Sequence, residues 1–212
     1  MFLFTRRLQI DAGHNREAME WALGQTERVN KITGLPVSLY MQVYSPDVGA
    51  IGWSTFVPDL VALEAAGDKL NADEAFMSAV EKGAALTVGG ADDSLSQVIY
   101  GEPDPNRQIE YVTGVRTVCA NGSLARGMEL GVEIAQRVEK ITGTPTLFLA
   151  DVTGTYGGVG WVSGHANVQA VEAAQQALAA DPSWAAYLDK EVRGTYVDEP
   201  SLTTQLIYRR LA

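Results

Sequence analysis

The apolar residues of this chain change period several times along its first hundred positions, and each change marks an element. Phe2–Ile10 concentrates aromatic and β-branched residues and reads as a strand. Roughly residues 15–32 follow as a helix, with Trp21, Leu23, Val29 and Ile32 supplying its apolar residues. The helix stops at Thr33-Gly34 with Pro36 just beyond: glycine accepts the left-handed conformation that ends a helix, and proline cannot continue one. Val37–Tyr44 and Ala50–Phe56 read as strands joined across a turn at Pro46-Asp47. An Ala-rich helix over Pro58–Leu70, a shorter helix announced by Asp73 and a strand over Leu95–Tyr100 complete the set.

The whole pattern then returns. Ile109–Cys119 predicts a strand, and residues 124–141 a helix with Leu130, Ile134, Val138 and Ile141 at helical spacing. Thr146–Val152 and Tyr156–Ser163 follow as strands with Gly154 between them, then a helix over Asn167–Ala179. A second short helix opens at Asp181-Pro182, and a strand over Leu202–Arg209 ends the series. Residue identities return as well. Arg28-Val29-Asn30-Lys31-Ile32-Thr33-Gly34 matches Arg137-Val138-Glu139-Lys140-Ile141-Thr142-Gly143, Gly52-Trp53 matches Gly160-Trp161, and Gln97-Val98-Ile99-Tyr100 matches Gln205-Leu206-Ile207-Tyr208. Such ordered matches indicate a tandem repeat. Gly101–Arg107, with Pro103, Asp104, Pro105 and Asn106, is the linker, which sets two domains at 1–103 and 104–212.

Each half reads β-α-β-β-α(α)-β, the ferredoxin-like or split-βαβ arrangement. Such a unit is expected to form an antiparallel sheet with helices on one face and an apolar opposite face in need of cover. Two units in one chain can cover each other, so the expected architecture is an intrachain pseudo-dimeric α+β barrel.

Gly52-Trp53-Ser54-Thr55-Phe56 running into Leu60–Ala66, then Ala72-Asp73-Glu74-Ala75-Phe76, carries a resemblance, as do Gly160–Ser163, Val168–Ala174 and Asp181–Trp184. A strand-end Trp, a helix and a short Asp-capped helix bearing an aromatic resemble the dimeric α+β barrel superfamily, especially its antibiotic-biosynthesis-monooxygenase-like and stress-responsive branches. The resemblance implies a choice among cofactor-free oxygenases of aromatic polyketides, haem-degrading enzymes, small-molecule isomerases and proteins without an assigned role. The haem-degrading branch typically places a His on the short helix after the aromatic, where this chain has Ala79 and Val80, or Tyr187 and Leu188. No cofactor is therefore expected.

Composition narrows the field further. Hydrophobic residues make up 46% and charged residues 20% of the 212, enough apolar material for a sizeable core. A net charge of −10 without any Lys/Arg run argues against nucleic acid as a partner. No apolar run approaches the roughly 18 residues that span a bilayer, so no membrane partner is expected. One cysteine, Cys119, excludes an intrachain disulfide and a cysteine-based metal site, and no metal is expected. Charge arrives early at Arg6-Arg7, which argues against a secretory leader; a cytoplasmic protein, either a pseudo-dimeric monomer or a homodimer, is the simplest expectation.

The candidate chemistry lies where the halves differ. Trp53 and Trp161 are either pocket walls or core residues; their presence in both copies suits the core. Of the two histidines, His14 stands at a helix start, whereas His165 follows the Trp161 strand in Ser163-Gly164-His165 and is a candidate acid or base. Asp151, in an otherwise apolar strand, is either a base or the opening of a turn. Arg7 (or Arg6) and Arg116 lie inside first strands and either form ion pairs or anchor an anionic ligand. Tyr40, Gln42 and Tyr44 alternate onto one face of a strand, where the second half has Leu149, Asp151 and Thr153. Together these predict an apolar small-molecule ligand, and the resemblance implies a cofactor-independent monooxygenase-like reaction on an aromatic or apolar substrate; the alternative is a non-catalytic structural or interaction protein.

Overall fold

Glycine ends both long helices as expected. In the computed structural model, which describes all 212 residues, Gly34 (φ 76°) closes α1 (Asn15–Thr33) and Gly143 (φ 69°) closes α4 (Leu124–Thr142). Each glycine donates its N–H back to a carbonyl of the last turn, Asn30 and Glu139 respectively. The other helices start on short polar side chains that accept a backbone N–H. Asp59 caps α2 (Leu60–Asn71), Asp73 caps α3 (Glu74–Gly83), Asn167 caps α5 (Val168–Ala180), and Asp181 caps α6 (Pro182–Glu191).

The strands are β1 (Phe2–Ile10), β2 (Ser38–Val43), β3 (Ala50–Val57), β4 (Thr87–Tyr100), β5 (Tyr111–Val118), β6 (Thr146–Asp151), β7 (Gly158–His165) and β8 (Thr204–Arg210). The order β-α-β-β-α-α-β thus occurs twice, which is the ferredoxin-like plan. Hydrogen bonding runs β1-β3-β2-β8-β5-β7-β6-β4 and closes as a barrel. Two compact units result, Met1–Leu95 with Arg209–Ala212, and Ser96–Tyr208. The C-terminal residues return to the first unit, where the Leu39 N–H donates to Ala212 O (2.9 Å) and the Leu211 N–H to Leu39 O (2.8 Å).

Several element ends differ from the sequence pattern: β7 runs on to His165, which was expected beyond the strand, β8 starts at Thr204 rather than Leu202, and β4 and β2 differ for reasons that can be traced. β4 begins at Thr87 rather than Leu95, because Gly89-Gly90-Ala91-Asp92-Asp93 has no apolar alternation to announce a strand. Its polar start is tied down instead by Asp93, whose carboxylate accepts from Arg6 Nε and Nη2, both at 2.7 Å. β2 ends at Val43, so Tyr44 lies beyond the strand with φ 52°, in the left-handed region, its side chain exposed.

Antiparallel register decides which residues share a face. Arg6 and Leu39 stand opposite Trp53, whereas Arg7 and Tyr40 stand opposite Gly52. Val115 and Phe148 likewise stand opposite Trp161, and Arg116 and Leu149 opposite Gly160. Arg7 is therefore the positional counterpart of Arg116, and Arg6 that of Val115. The Trp faces pack on helices: Ala18, Ala22, Leu39, Ile51 and Trp53 form the core of the first unit, and Leu130, Ile134, Phe148, Val159 and Trp161 that of the second. Burying a side chain such as Leu39, 0% exposed, contributes about 1.5–3 kcal/mol.

Candidate functional site

Between the helices and the Trp face of its sheet, the first unit has a solvent-open cavity of about 320 Å³. Phe4, Leu8, Trp21, Val29 and Phe76 make most of its wall apolar. Trp53 does two jobs here. It belongs to the core and also lines the cavity, and its Nε1–H donates to Thr26 Oγ1 at 2.8 Å, which fixes the ring. Trp21 meets it edge to face with centroids 5.8 Å apart and donates Nε1–H to Ala79 O at 2.7 Å.

Polar residues interrupt that wall: Arg6, Gln25, Ser54, Thr55 and Thr87. Gln25 sits in α1 one turn after Trp21 and one turn before Val29, inside the apolar stripe. It is 5% exposed, and neither of its amide atoms has a hydrogen-bond partner. Thr55, also 5% exposed, leaves its Oγ1 unpartnered. Burying a polar group without a hydrogen bond costs about 1–3 kcal/mol, so two such groups beside an apolar cavity need a reason. Arg6 spends two N–H groups on Asp93 and keeps others for a further acceptor.

Sequence reasoning passed over Gln25 and Thr55. The signal was present for Gln25: it occupies a stripe position where the second half carries Ile134, buried in the core. Thr55 gave no comparable warning, because its counterpart Ser163 is also a hydroxyl.

The other residues singled out from the sequence lie elsewhere. Arg7 pairs with Asp47 at 2.5 Å, and Arg116 with Asp151 at 2.5 Å, on the sheet face turned away from the helices. Asp151 also accepts from Ser96 Oγ at 2.8 Å. Tyr40 and Gln42 share that same face in the first unit; burial raises the Tyr40 phenol above its usual value, and both Gln42 amide atoms are unpartnered. Trp161 lines a separate cavity in the second unit and donates Nε1–H to Gly131 O at 2.8 Å. His14 is exposed at the start of α1, its Nδ1 3.6 Å from Asp11 Oδ1.

His165 is 3% exposed, with Nε2 3.0 Å from Thr113 Oγ1 and Nδ1 buried without a partner. Burial lowers its pKa, and the Arg107 charge adds to the effect. The folded state therefore binds the His165 proton less readily than the unfolded chain does. The contribution of this group is fully present above the unfolded value of about 6.5 and is lost as pH falls from there toward the lower folded value. A His165→Gln variant should show a flatter fall in melting temperature between pH 7 and 5 than the parent; parallel curves would contradict a buried neutral imidazole.

No family model matches the sequence, and neither does any curated protein. Solved structures do match. A candidate monooxygenase from Fusobacterium nucleatum subsp. nucleatum ATCC 25586 superposes with a TM-score of 0.72 at 7% identity, over 100% of this chain and 92% of that one. An anthrone oxidase-like protein gives 0.66 at 13% identity, over 100% and 91%. A candidate monooxygenase from Lactobacillus acidophilus NCFM gives 0.64 at 10% identity, over 99% and 93%.

The fold is the dimeric α+β barrel. At these identities the likeness establishes the fold and leaves the chemistry of this α+β barrel to its own residues. No helix of this barrel is long and apolar enough to cross a membrane.

Proposed function

We propose that the first unit binds a small aromatic molecule with one oxygen-bearing, anion-forming end, and presents it to dioxygen without a bound cofactor. The observation that carries this reading is the pair of buried, unpartnered side chains, Gln25 and Thr55, in the wall of a largely apolar cavity. A cavity of about 320 Å³ is at the small end of ligand sites, the size for a ligand of two or three fused rings. Trp21, Trp53 and Phe76 offer ring faces, while Gln25, Thr55 and Arg6 offer hydrogen bonds to a carbonyl, phenol or phenolate.

In the reaction, a C–H acidified by flanking aryl and carbonyl groups gives its proton to solvent, and the Arg6 guanidinium stabilises the resulting oxyanion. The carbanion transfers an electron to dioxygen, the radical pair combines to a peroxide anion that takes a proton back from solvent, and loss of water from the resulting hydroperoxide leaves a ketone. The balance is CH2 + O2 → C=O + H2O, with no external reductant. The neighbours described as monooxygenases and as anthrone oxidase-like support this choice of chemistry. One observation favours a second reading, binding without turnover: no carboxylate or imidazole lines the cavity.

Tryptophan fluorescence titrated with anthrone and tricyclic phenols tests the binding, and an oxygen electrode tests the turnover. Saturable quenching is expected, weakened about tenfold in Arg6→Lys, because an ammonium cannot reproduce the planar fork that Arg6 offers. Oxygen uptake above that of buffer supports oxygenation; quenching without uptake supports binding alone. No quenching by any of these compounds contradicts both.

A further inference from the structure

The second unit has its own cavity, about 870 Å³, between its helices and the Trp161 face of its sheet. Its floor is chemically unlike that of the first. Where Phe4, Leu8 and Val37 line the first cavity, the corresponding positions of the second are Thr113, Thr117 and Thr146, and all three line it. Ser163 and Thr203 add two more hydroxyls. A helix-facing sheet surface is ordinarily apolar, so exchanging a phenyl, an isobutyl and an isopropyl group for hydroxyl-bearing side chains runs against the packing preference.

The hydrogen bonds among these hydroxyls show what remains for a ligand. Thr146 Oγ1 lies 2.8 Å from Ser163 Oγ and 3.2 Å from Thr144 O, so both hydrogens of this pair are used internally and its oxygens remain acceptors. Thr117 and Thr203, 2.9 Å apart, use one hydrogen between them and keep one. Thr113 Oγ1 lies 3.0 Å from Nε2 of the buried His165; whichever of the two donates, the Thr113 oxygen keeps a lone pair for a further donor. Trp184 also lines the cavity, its half-buried indole stacked on Tyr187 at 23°, and Asp189, Arg193 and Asp198 bring charges of both signs to the lining.

We infer that the second cavity is a binding site for a neutral saccharide, one sugar C–H face lying on the Trp184 indole and its hydroxyls pairing with Thr113, Thr117 and Thr203. A spaced set of donors and acceptors in one cavity with an aromatic side chain suits a pyranose ring, whose rim is hydroxyls and whose faces carry C–H groups. The volume lies within the range of ligand sites and accommodates more than one ring. This inference does not depend on the reading of the first cavity.

Isothermal titration calorimetry of the whole chain with maltose, cellobiose and maltotriose tests it, with glucuronate as an anionic control. At least one neutral sugar should bind, glucuronate more weakly. Thr117→Val, which keeps the side-chain shape, should weaken binding about tenfold, and Thr117→Ser should restore most of it. Trp184→Ala should abolish it, and Arg6→Lys in the other unit should leave it unchanged. No heat with any neutral sugar, or equal affinity in Thr117→Val, overturns the inference. Competition by anthrone at this site would likewise overturn it, showing an apolar pocket instead.

Discussion

Replacing Gly83 by alanine is expected to destabilise the protein by about 2 kcal/mol and to spoil the first cavity. Helix propensity alone points the other way, since Ala is favoured over Gly in a helix by about 1 kcal/mol. Contact decides the sign. A Cβ at position 83 would lie 2.1 Å from Trp21 Cζ2 and 2.3 Å from Cε2, far inside any allowed approach. The indole must move, and it shares the cavity wall with Gly83. Moving it breaks the Nε1–H bond to Ala79 O and the edge-to-face contact with Trp53. Urea unfolding should show the loss of stability, and ligand-induced fluorescence quenching should fall at least tenfold as the displaced ring occupies ligand space. Unchanged stability and binding would show that Trp21 is not the wall described.

Replacing Gln25 by leucine should have opposite effects on stability and on binding. Leucine resembles glutamine in size and suits the stripe between Trp21 and Val29, where the second half has Ile134. The buried amide with two unpartnered atoms disappears, and with it a cost of about 1–3 kcal/mol. A ligand whose oxygen pairs with Gln25 loses that bond on transfer into a purely apolar wall. Binding should therefore weaken by at least tenfold while the free protein gains stability, the pattern of a group kept for function rather than folding.

Most of the architecture was legible because two copies of one pattern constrain each other. Phe2–Ile10 and the two Thr-Gly helix ends appear in the structure at the expected positions. The start of β4 did not, because a strand held by an Arg6–Asp93 ion pair across Gly89 and Gly90 leaves no hydrophobic period to read. Tyr44 was misplaced for a related reason: alternation continues through it, but the backbone turns to a positive φ that side-chain patterning does not encode. The candidate site was less legible. Arg6 and Arg7 are neighbours on opposite faces of β1, and only the ladder opposite Trp53 and Gly52 shows which one reaches the cavity. Asp151 looked unusual in its strand, yet its partners Arg116 and Ser96 come from two other strands that local sequence cannot pair with it.

The stability of Gln25→Leu measured by urea unfolding bears most directly on the claim that the first cavity is a ligand site. If the amide is kept for a ligand, the midpoint rises, and the unfolding free energy of the ligand-free protein increases by about 1 kcal/mol or more. A lower midpoint would show that Gln25 holds the fold together and would remove the main support for a ligand there.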